Sequence, residues 1–132
     1  MSASTRSISI LVIDDDPTSL ALAVEVLELD GYAVRTATTA ERGLELAACE
    51  RPAVILMELQ LPAMTGHEAA RRLKADPLTA GIPVIALTAL AMKGDEAEAR
   101  EAGCDAYVTK PLDAPTLCET VRRFITGAPG QA

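Results

Sequence analysis

Short apolar segments recur along the chain, and their apolar residues do not alternate with polar ones. Three segments are strong: ISILVI at residues 8–13, AVILM at residues 53–57 and PVIAL at residues 83–87. Two weaker segments lie at residues 32–37 and 106–109. Continuous apolar runs of this length are typical of strands that are buried on both faces, as in a parallel sheet. The pattern therefore predicts five parallel strands.

The segment after the first strand has the periodicity of a helix. Asp16 followed by Pro17 is a typical helix start, and Leu20, Val24 and Leu27 fall on one face of the helix. We expect that face to point inward.

Four more helices are indicated by start and stop signals. The second opens at Thr38, which has the capping-box spacing to Glu41. The third follows Gly66, a polar fourth covers about residues 94–101, and the fifth is capped by Asp113. Strands that alternate with helices through right-handed crossovers predict a doubly wound α/β domain with a parallel five-stranded sheet and helices on both faces.

The composition agrees with one globular domain. A chain of 132 residues has the usual length of a single domain, and 49% of its residues are apolar. We expect the domain to cover residues 8–126, with short flexible termini at residues 1–7 and 127–132. The three cysteines are odd in number and far apart, and the chain has one histidine, which argues for reduced, core-filling thiols rather than disulfides or a zinc site.

The charge balance narrows the classes of partner. Twelve basic residues against nineteen acidic ones give a net charge of −7, and no basic run is present. We therefore expect neither nucleic acid nor a membrane surface as a direct partner. No apolar run approaches the ~18 residues that span a bilayer, and the first ten residues lack the apolar stretch of a secretory signal. These features predict a cytoplasmic protein.

Polar side chains stand where the predicted strands end. Because ligands of open α/β sheets bind outside the carboxyl ends of the strands, we expect these side chains to converge. Several carboxylates in one crevice repel one another, and Mg²⁺, which takes one or two carboxylates plus water, would relieve that repulsion. Asp16 is better explained as a helix cap. The converging residues are Asp14, Asp15 and Asp16 after the first strand, Glu58 after the third, Thr88 after the fourth and Lys110 after the fifth.

Four motifs, LVIDDDP, VILMELQLPAMTG, VIALTA and YVTKP, resemble those of the receiver domain of two-component response regulators. The intervals also fit: 30 residues separate Glu58 from Thr88, and 52 separate Glu58 from Lys110. The resemblance covers residues 8–125. It implies a flavodoxin-like sheet of order 2-1-3-4-5 and phosphoryl transfer from a histidine kinase or a histidine phosphotransfer protein to an aspartate at the end of the third strand.

The resemblance also implies a metal site. Asp14 and Asp15 would be its acids, with Asp15 the direct ligand of choice. Gln60 would offer its backbone carbonyl to Mg²⁺, and the carboxylate of Glu58 would lie at the same ion.

Three other residues would act on the phosphoryl group. Lys110 would hold one of its oxygens, and Thr88 would move its hydroxyl onto the group as Tyr107 swings inward. The Lys110–Pro111 peptide bond would be cis, a form that only proline makes inexpensive.

Glu58 stands where the family has the phosphoacceptor aspartate. Its carboxylate lies about 1.5 Å further from the backbone, one extra C–C bond. A misplacement of about 1 Å can cost ~100-fold in rate, so we expect normal phosphorylation to fail. Three interpretations remain open: an inert receiver, a carboxylate that partly imitates the phosphorylated state, or an Asp-to-Glu replacement in an otherwise ordinary regulator.

The leading hypothesis is a stand-alone receiver that is not an enzyme and signals through a downstream effector protein. The alternative is an Mg²⁺-dependent phosphatase of the haloacid dehalogenase type, for which Asp14 and Asp16 have the required D-x-D spacing. The short chain and the lack of a cap insertion count against it. A flavodoxin-like flavin binder is disfavoured because no phosphate loop rich in Ser, Thr and Gly follows the first strand.

Overall fold

The computed structural model describes residues 8–89 and 94–126; the predicted flexible termini lie outside these ranges. Strands and helices alternate along the chain. The strands are β1 (Ser9–Ile13), β2 (Ala33–Ala37), β3 (Val54–Glu58), β4 (Val84–Thr88) and β5 (Ala106–Thr109). The helices are α1 (Pro17–Leu29), α2 (Ala40–Glu50), α3 (Gly66–Ala75), α4 (Asp95–Glu101) and α5 (Ala114–Thr126).

All strand pairs are parallel, and the sheet has the order β2-β1-β3-β4-β5. The prediction of a doubly wound five-stranded sheet is confirmed. In the register of the central pair, Ile13 of β1 lies beside Met57 of β3. The next residues along the two strands, Asp14 and Glu58, are therefore neighbours at the carboxyl edge.

The core is aliphatic and divided by the sheet. Side chains of a strand point to alternate faces, so Ile10 and Val12 pack on one side with α1 and α5. Leu11 and Ile13 pack on the other side with α2, α3 and α4. Helices thus cover both faces, and the carboxyl edge between them holds the polar residues.

Two helix starts show how local signals set the boundaries. Asp16 caps α1 as predicted: its carboxylate accepts bonds from the Thr18 N–H and the Ser19 hydroxyl. The cap predicted at Thr38 is wrong by one residue, because the Thr39 hydroxyl accepts the Arg42 N–H at 3.2 Å. Both threonines are chemically suited to the role, and Thr39 is the one directly before α2, which begins at Ala40.

Two burial predictions need correction. On α1, Leu27 is buried as predicted, but Leu20 and Val24 are only partly covered, and Ala23 is the other buried residue. Of the three thiols only Cys104 is fully buried, whereas Cys49 is exposed. Within residues 8–89 and 94–126, the helices are all too short or too polar to cross a bilayer.

Candidate functional site

An acidic pair and a lysine meet at the carboxyl edge of the sheet. Lys110 follows β5 directly, and its Nζ lies 2.7 Å from Oδ2 of Asp14 and 2.6 Å from Oε1 of Glu58. The three side chains are 10%, 1% and 7% exposed, respectively, so water screens these contacts weakly. The convergence predicted from the strand ends is therefore present for these three residues.

Asp14 is held by the backbone around it. Its N–H donates to the Ala37 carbonyl at 3.0 Å, and its Oδ1 accepts the Asp16 N–H at 2.9 Å. Its Oδ2 is buried and accepts no well-aligned hydrogen bond from residues 8–89 and 94–126. The charge on that oxygen is balanced by the Lys110 ammonium.

Glu58 is the last residue of β3 rather than the first residue of the loop, and both of its carboxylate oxygens are engaged. Oε1 contacts Lys110, and Oε2 accepts the Gln60 N–H at 2.9 Å. The start of α3 packs tightly behind it: a Cβ on Gly66 would clash with the Glu58 carbonyl. Glycine at this position therefore lets α3 approach the strand end and fixes the backbone beneath the carboxylate.

Lys110 is positioned by the end of β4. Its N–H donates to the Thr88 carbonyl at 2.9 Å, and the predicted cis peptide bond to Pro111 is present. Burial on its own lowers the pKa of Lys110, but the contacts with Asp14 and Glu58 outweigh burial and raise the pKa above its usual value. The lysine is therefore charged at neutral pH.

Two neighbouring acids of the first strand end lie outside this buried group. Asp15 is exposed. Asp16 is also exposed and caps α1, where the hydrogen bond from Ser19 leads the effects that lower its pKa. The sequence-based explanation of Asp16 as a cap agrees with this geometry.

Thr88 and Tyr107 flank the site on the β4 and β5 side. Thr88 is buried, with 2% of its surface exposed. Tyr107 is half-buried and packs against the core side of α2, α3 and α4. Burial, followed by the charges of Asp95, Glu96 and Glu58, raises the pKa of Tyr107. The switch role of Tyr107 stays a prediction.

The donors predicted for a magnesium ion are the carboxylates of Asp14, Asp15 and Glu58 and the Gln60 carbonyl. In the described part of the chain, no three His, Cys, Asp or Glu side chains are arranged to hold a metal. Asp14, Asp15 and the Gln60 carbonyl still match the donor chemistry of Mg²⁺, which needs only one or two carboxylates plus water. Because Asp14 Oδ2 already lies against Lys110, an ion binding there would compete with the ammonium.

Sequence reasoning missed the two backbone N–H groups that hold the acids. The resemblance assigns a role to the Gln60 carbonyl, yet it is the Gln60 N–H that binds Glu58, and the Asp16 N–H does the same for Asp14. Both bonds join a carboxylate to the N–H two residues on, the pattern of an Asx-type turn. An acid at the end of a strand, followed by a turn, is the signal that could have identified them.

Comparisons with known proteins point to one family. The model of the family "Response regulator receiver domain" matches residues 10–122. The polar-differentiation response regulator DivK of Brucella anthropi is 38% identical over 120 residues, which are 91% of this chain and 98% of that protein.

Two solved structures show the same fold. The receiver domain of a sensor histidine kinase from Pseudomonas aeruginosa, with a magnesium ion coordinated in its active site cleft, superposes with a TM-score of 0.86 at 30% identity, covering 92% of this chain and 99% of that one. The chemotaxis response regulator CheY4 of Vibrio cholerae gives a TM-score of 0.84 at 25% identity, covering 89% and 98% of the two chains.

None of these relatives favours the phosphatase alternative. The matched family, the DivK-like sequence and the superposed receivers all point to the same class of signalling module. The chain belongs to the response regulator receiver domain family of two-component signal transduction.

Proposed function

We propose that this receiver domain signals through protein–protein contacts without accepting a phosphoryl group at Glu58. The observation that carries the proposal is the ion pair of 2.6 Å between Lys110 Nζ and Glu58 Oε1. Phosphoryl transfer depends on positioning a nucleophile and on cations that neutralise the phosphoryl oxygens. In this site, the carboxylate and the cation are engaged with each other.

The second oxygen of Glu58 is also occupied. Oε2 accepts the Gln60 N–H, so an attack on phosphorus has to break one of two charge-assisted contacts. The carboxylate is in addition displaced by about 1.5 Å relative to an aspartate on the same backbone. The contacts of the Glu58 carboxylate and its displacement both act against in-line attack on phosphorus.

Of the three interpretations of Glu58, these contacts favour a fixed state that partly imitates phosphorylation. Lys110 already meets an anion at position 58, as it would meet a phosphoryl oxygen. The imitation is partial, because a carboxylate carries one charge and two oxygens where a phosphoryl group carries about two charges and three oxygens. Thr88 and Tyr107 would then respond to residue 58 more weakly than to a phosphoryl group.

A divalent cation would bind weakly at the same edge. Asp14, Asp15 and the Gln60 carbonyl would hold Mg²⁺, which supplies positive charge for phosphoryl oxygens when bound. Competition from Lys110 for Asp14 Oδ2 would reduce its affinity.

The partners follow from the family. Receiver domains interact with histidine kinases and effectors in general. For this chain we propose a histidine kinase or a histidine phosphotransfer protein upstream and an effector protein downstream, all in the cytoplasm. The net charge of −7 argues against nucleic acid or an anionic membrane. The domain, over residues 8–126, would act by binding and not as an enzyme.

Incubation with acetyl phosphate and Mg²⁺, followed by intact-mass measurement, tests the proposal. We expect no added phosphoryl mass on the wild-type chain and a clear addition on Glu58→Asp, because removing one methylene withdraws the carboxylate from Lys110 and returns it to attacking distance. The matched control is Glu58→Gln, which keeps the length and removes the nucleophile.

Each alternative outcome has a distinct meaning. Equal phosphoryl mass on the wild type and on Glu58→Asp would contradict the proposal. Absence of mass on both proteins would show that the loss of phosphorylation does not come from Glu58 alone, which also contradicts the stated cause.

A further inference from the structure

Helix α2 contains a buried glycine, Gly43, at its fourth position. The backbone does not require glycine there, because φ lies outside the left-handed region and the Gly43 N–H donates to the Thr39 carbonyl at 3.0 Å, as in an ordinary helical turn. Inside a helix, glycine is less favourable than alanine, since its backbone loses more conformational freedom. The reason for a glycine at this position therefore lies in packing.

The space beside Gly43 is filled by Ile13, the last residue of β1. A Cβ at residue 43 would overlap Cδ1 of Ile13 and would lie 2.8 Å from its Cγ1. Ile13 is fully buried and lies between Ala37 of β2 and Met57 of β3. Its β-branched side chain is stiff at χ1, so it cannot easily turn away.

Two connections lead from this contact to Asp14. Asp14 directly follows Ile13, so a shift of the Ile13 backbone also moves Asp14. From the other side, the Asp14 N–H donates to the Ala37 carbonyl at 3.0 Å, and α2 begins only three residues after Ala37. A methyl group at residue 43 would therefore disturb Asp14 whether it pushes β1 back or α2 outward.

The size of that disturbance matters for the contact between Asp14 and Lys110. Carbon atoms in ordinary contact are about 3.5–4.0 Å apart, so the contact of 2.8 Å with Ile13 would have to widen by about 1 Å. The Asp14 carboxylate is 1% exposed, and its Oδ2 lies 2.7 Å from Lys110 Nζ. A buried ion pair is favourable only when its geometry is good, so a shift of this size would weaken it.

We infer that Gly43 is a positioning residue of the carboxyl-edge site. Its lack of a side chain sets how closely α2 approaches β1 and thereby holds Asp14 where Lys110 meets it. Gly66 has the corresponding place behind Glu58, where a Cβ would clash with the Glu58 carbonyl. The inference concerns the contact between Asp14 and Lys110 and does not depend on whether Glu58 accepts a phosphoryl group.

A double-mutant cycle between Gly43→Ala and Lys110→Met tests the inference, with urea unfolding as the measurement. In the wild type, we expect Gly43→Ala to raise the equilibrium constant of unfolding about thirtyfold, as overpacking of a core does. In the Lys110→Met protein the increase should be only about fivefold, because the packing cost remains but no ion pair is left to weaken.

Two control variants separate positioning from packing in general. Gly81→Ala adds the same methyl group where nothing lies within 4 Å, and it should change neither protein. Ala47→Val overpacks the same helix about 6 Å further along its axis, at another buried residue. Its cost should be the same with and without Lys110.

A rescue variant provides a further check. Ile13→Val removes the Cδ1 atom that the new methyl group would overlap, so it should restore part of the stability that Gly43→Ala loses. If Gly43→Ala alone does not fold, the cycle with Lys110→Met is measured in the Ile13→Val protein.

Phosphorylation of Glu58→Asp by acetyl phosphate and Mg²⁺ gives an independent measurement, and this measurement alone rests on the proposed function. There Gly43→Ala should slow the gain of phosphoryl mass at least about tenfold, since misplacement by about 1 Å can cost ~100-fold in rate. Ala47→Val should leave the rate unchanged.

Three results would overturn the inference: an equal cost of Gly43→Ala with and without Lys110, an equally large coupling of Ala47→Val to Lys110, or an unchanged rate of phosphorylation in Glu58→Asp. If Glu58→Asp gains no phosphoryl mass at all, the proposed role of Glu58 is contradicted, and the unfolding cycle decides this inference.

Discussion

One lysine lies at each end of the sheet, and the surroundings of the two lysines differ. At the carboxyl edge Lys110 lies between the carboxylates of Asp14 and Glu58. At the amino edge Lys74, on α3, pairs with Asp105 at 3.0 Å, just before β5. The first lysine faces two acids, whereas the second faces one acid and backbone.

The amino-edge pair is embedded in main-chain hydrogen bonds. Lys74 Nζ donates to the Ile82 carbonyl at 2.8 Å, and Asp105 Oδ2 accepts the Val84 N–H at 2.9 Å. The ion pair thereby fixes the first residue of β4. One positive charge faces one negative charge, and each of the two side chains also forms a hydrogen bond with the backbone.

The charges at the carboxyl edge are balanced only in part, because the two buried carboxylates of Asp14 and Glu58 share the single ammonium of Lys110. Such a group depends on the presence of its cation and responds to any change at residue 58. The sheet is thus fastened at its amino edge by a pair with balanced charges, whereas the group at its carboxyl edge depends on the charge at residue 58. Three predictions test that difference.

The largest effect should come from removing Lys110. Lys110→Met leaves Asp14 and Glu58 buried and facing each other, and breaking a buried ion pair from one side typically costs about 3–5 kcal/mol. Urea unfolding measures the change in the free energy of unfolding.

As a control, Lys110→Met is also made in a protein that carries Glu58→Gln. Glutamine keeps the shape of the side chain and removes one negative charge. There Lys110→Met should cost clearly less, because a single carboxylate remains. Equal costs in both backgrounds would mean that Lys110 and Glu58 are not coupled, in conflict with their contact of 2.6 Å.

These contacts also show what the sequence could and could not predict. The strand order, the cap at Asp16 and the meeting of Asp14 with Lys110 follow from strong local signals and from the topology of parallel sheets. The pairing of Lys110 with Glu58 does not follow from those signals. It depends on how two side chains, at the ends of β3 and β5, reach past the end of β4 between them, which no sequence pattern specifies.

The sequence also did not reveal how far neighbouring elements cover each helix. Periodicity correctly placed Leu20 and Val24 on the same face as Leu27, but it cannot tell how far the neighbouring strand covers that face. Because β2 is an edge strand, its side of α1 stays open. Cys49 is exposed for a different reason, because it lies on another face of α2 than the buried Ala40 and Ala47.

A smaller effect should follow the loss of the amino-edge lysine. Lys74→Met removes charged hydrogen bonds to Ile82 and Asp105, and such bonds contribute about 1.5–3 kcal/mol. Because 24% of the Lys74 side chain is exposed, water can reach the groups left behind and limit the cost. Urea unfolding again measures the change.

The control for this variant is Arg71→Met on the same helix, at an exposed position, where the change should stay within about 0.5 kcal/mol. A cost for Lys74→Met as small as that of Arg71→Met would show that the amino edge is not fastened by this pair.

The smallest effect is confined to alkaline pH and follows from the raised pKa of Lys110. A lysine whose pKa is higher in the folded chain than in the unfolded chain adds stability that is complete below the unfolded pKa and is lost as pH rises through the folded pKa. The difference in free energy of unfolding between the wild type and Lys110→Met should therefore be constant from pH 7 to about 10 and should shrink above the ordinary lysine pKa of about 10.4.

The tyrosines also titrate in this range, but they are present in both proteins, so their contribution largely cancels in the difference. Urea unfolding of both proteins at several pH values measures it. A difference that stays constant, or grows, up to pH 12, beyond the range in which lysines usually titrate, would show that the ammonium of Lys110 gains nothing from Asp14 and Glu58 and that the two edges of the sheet do not differ in the way described.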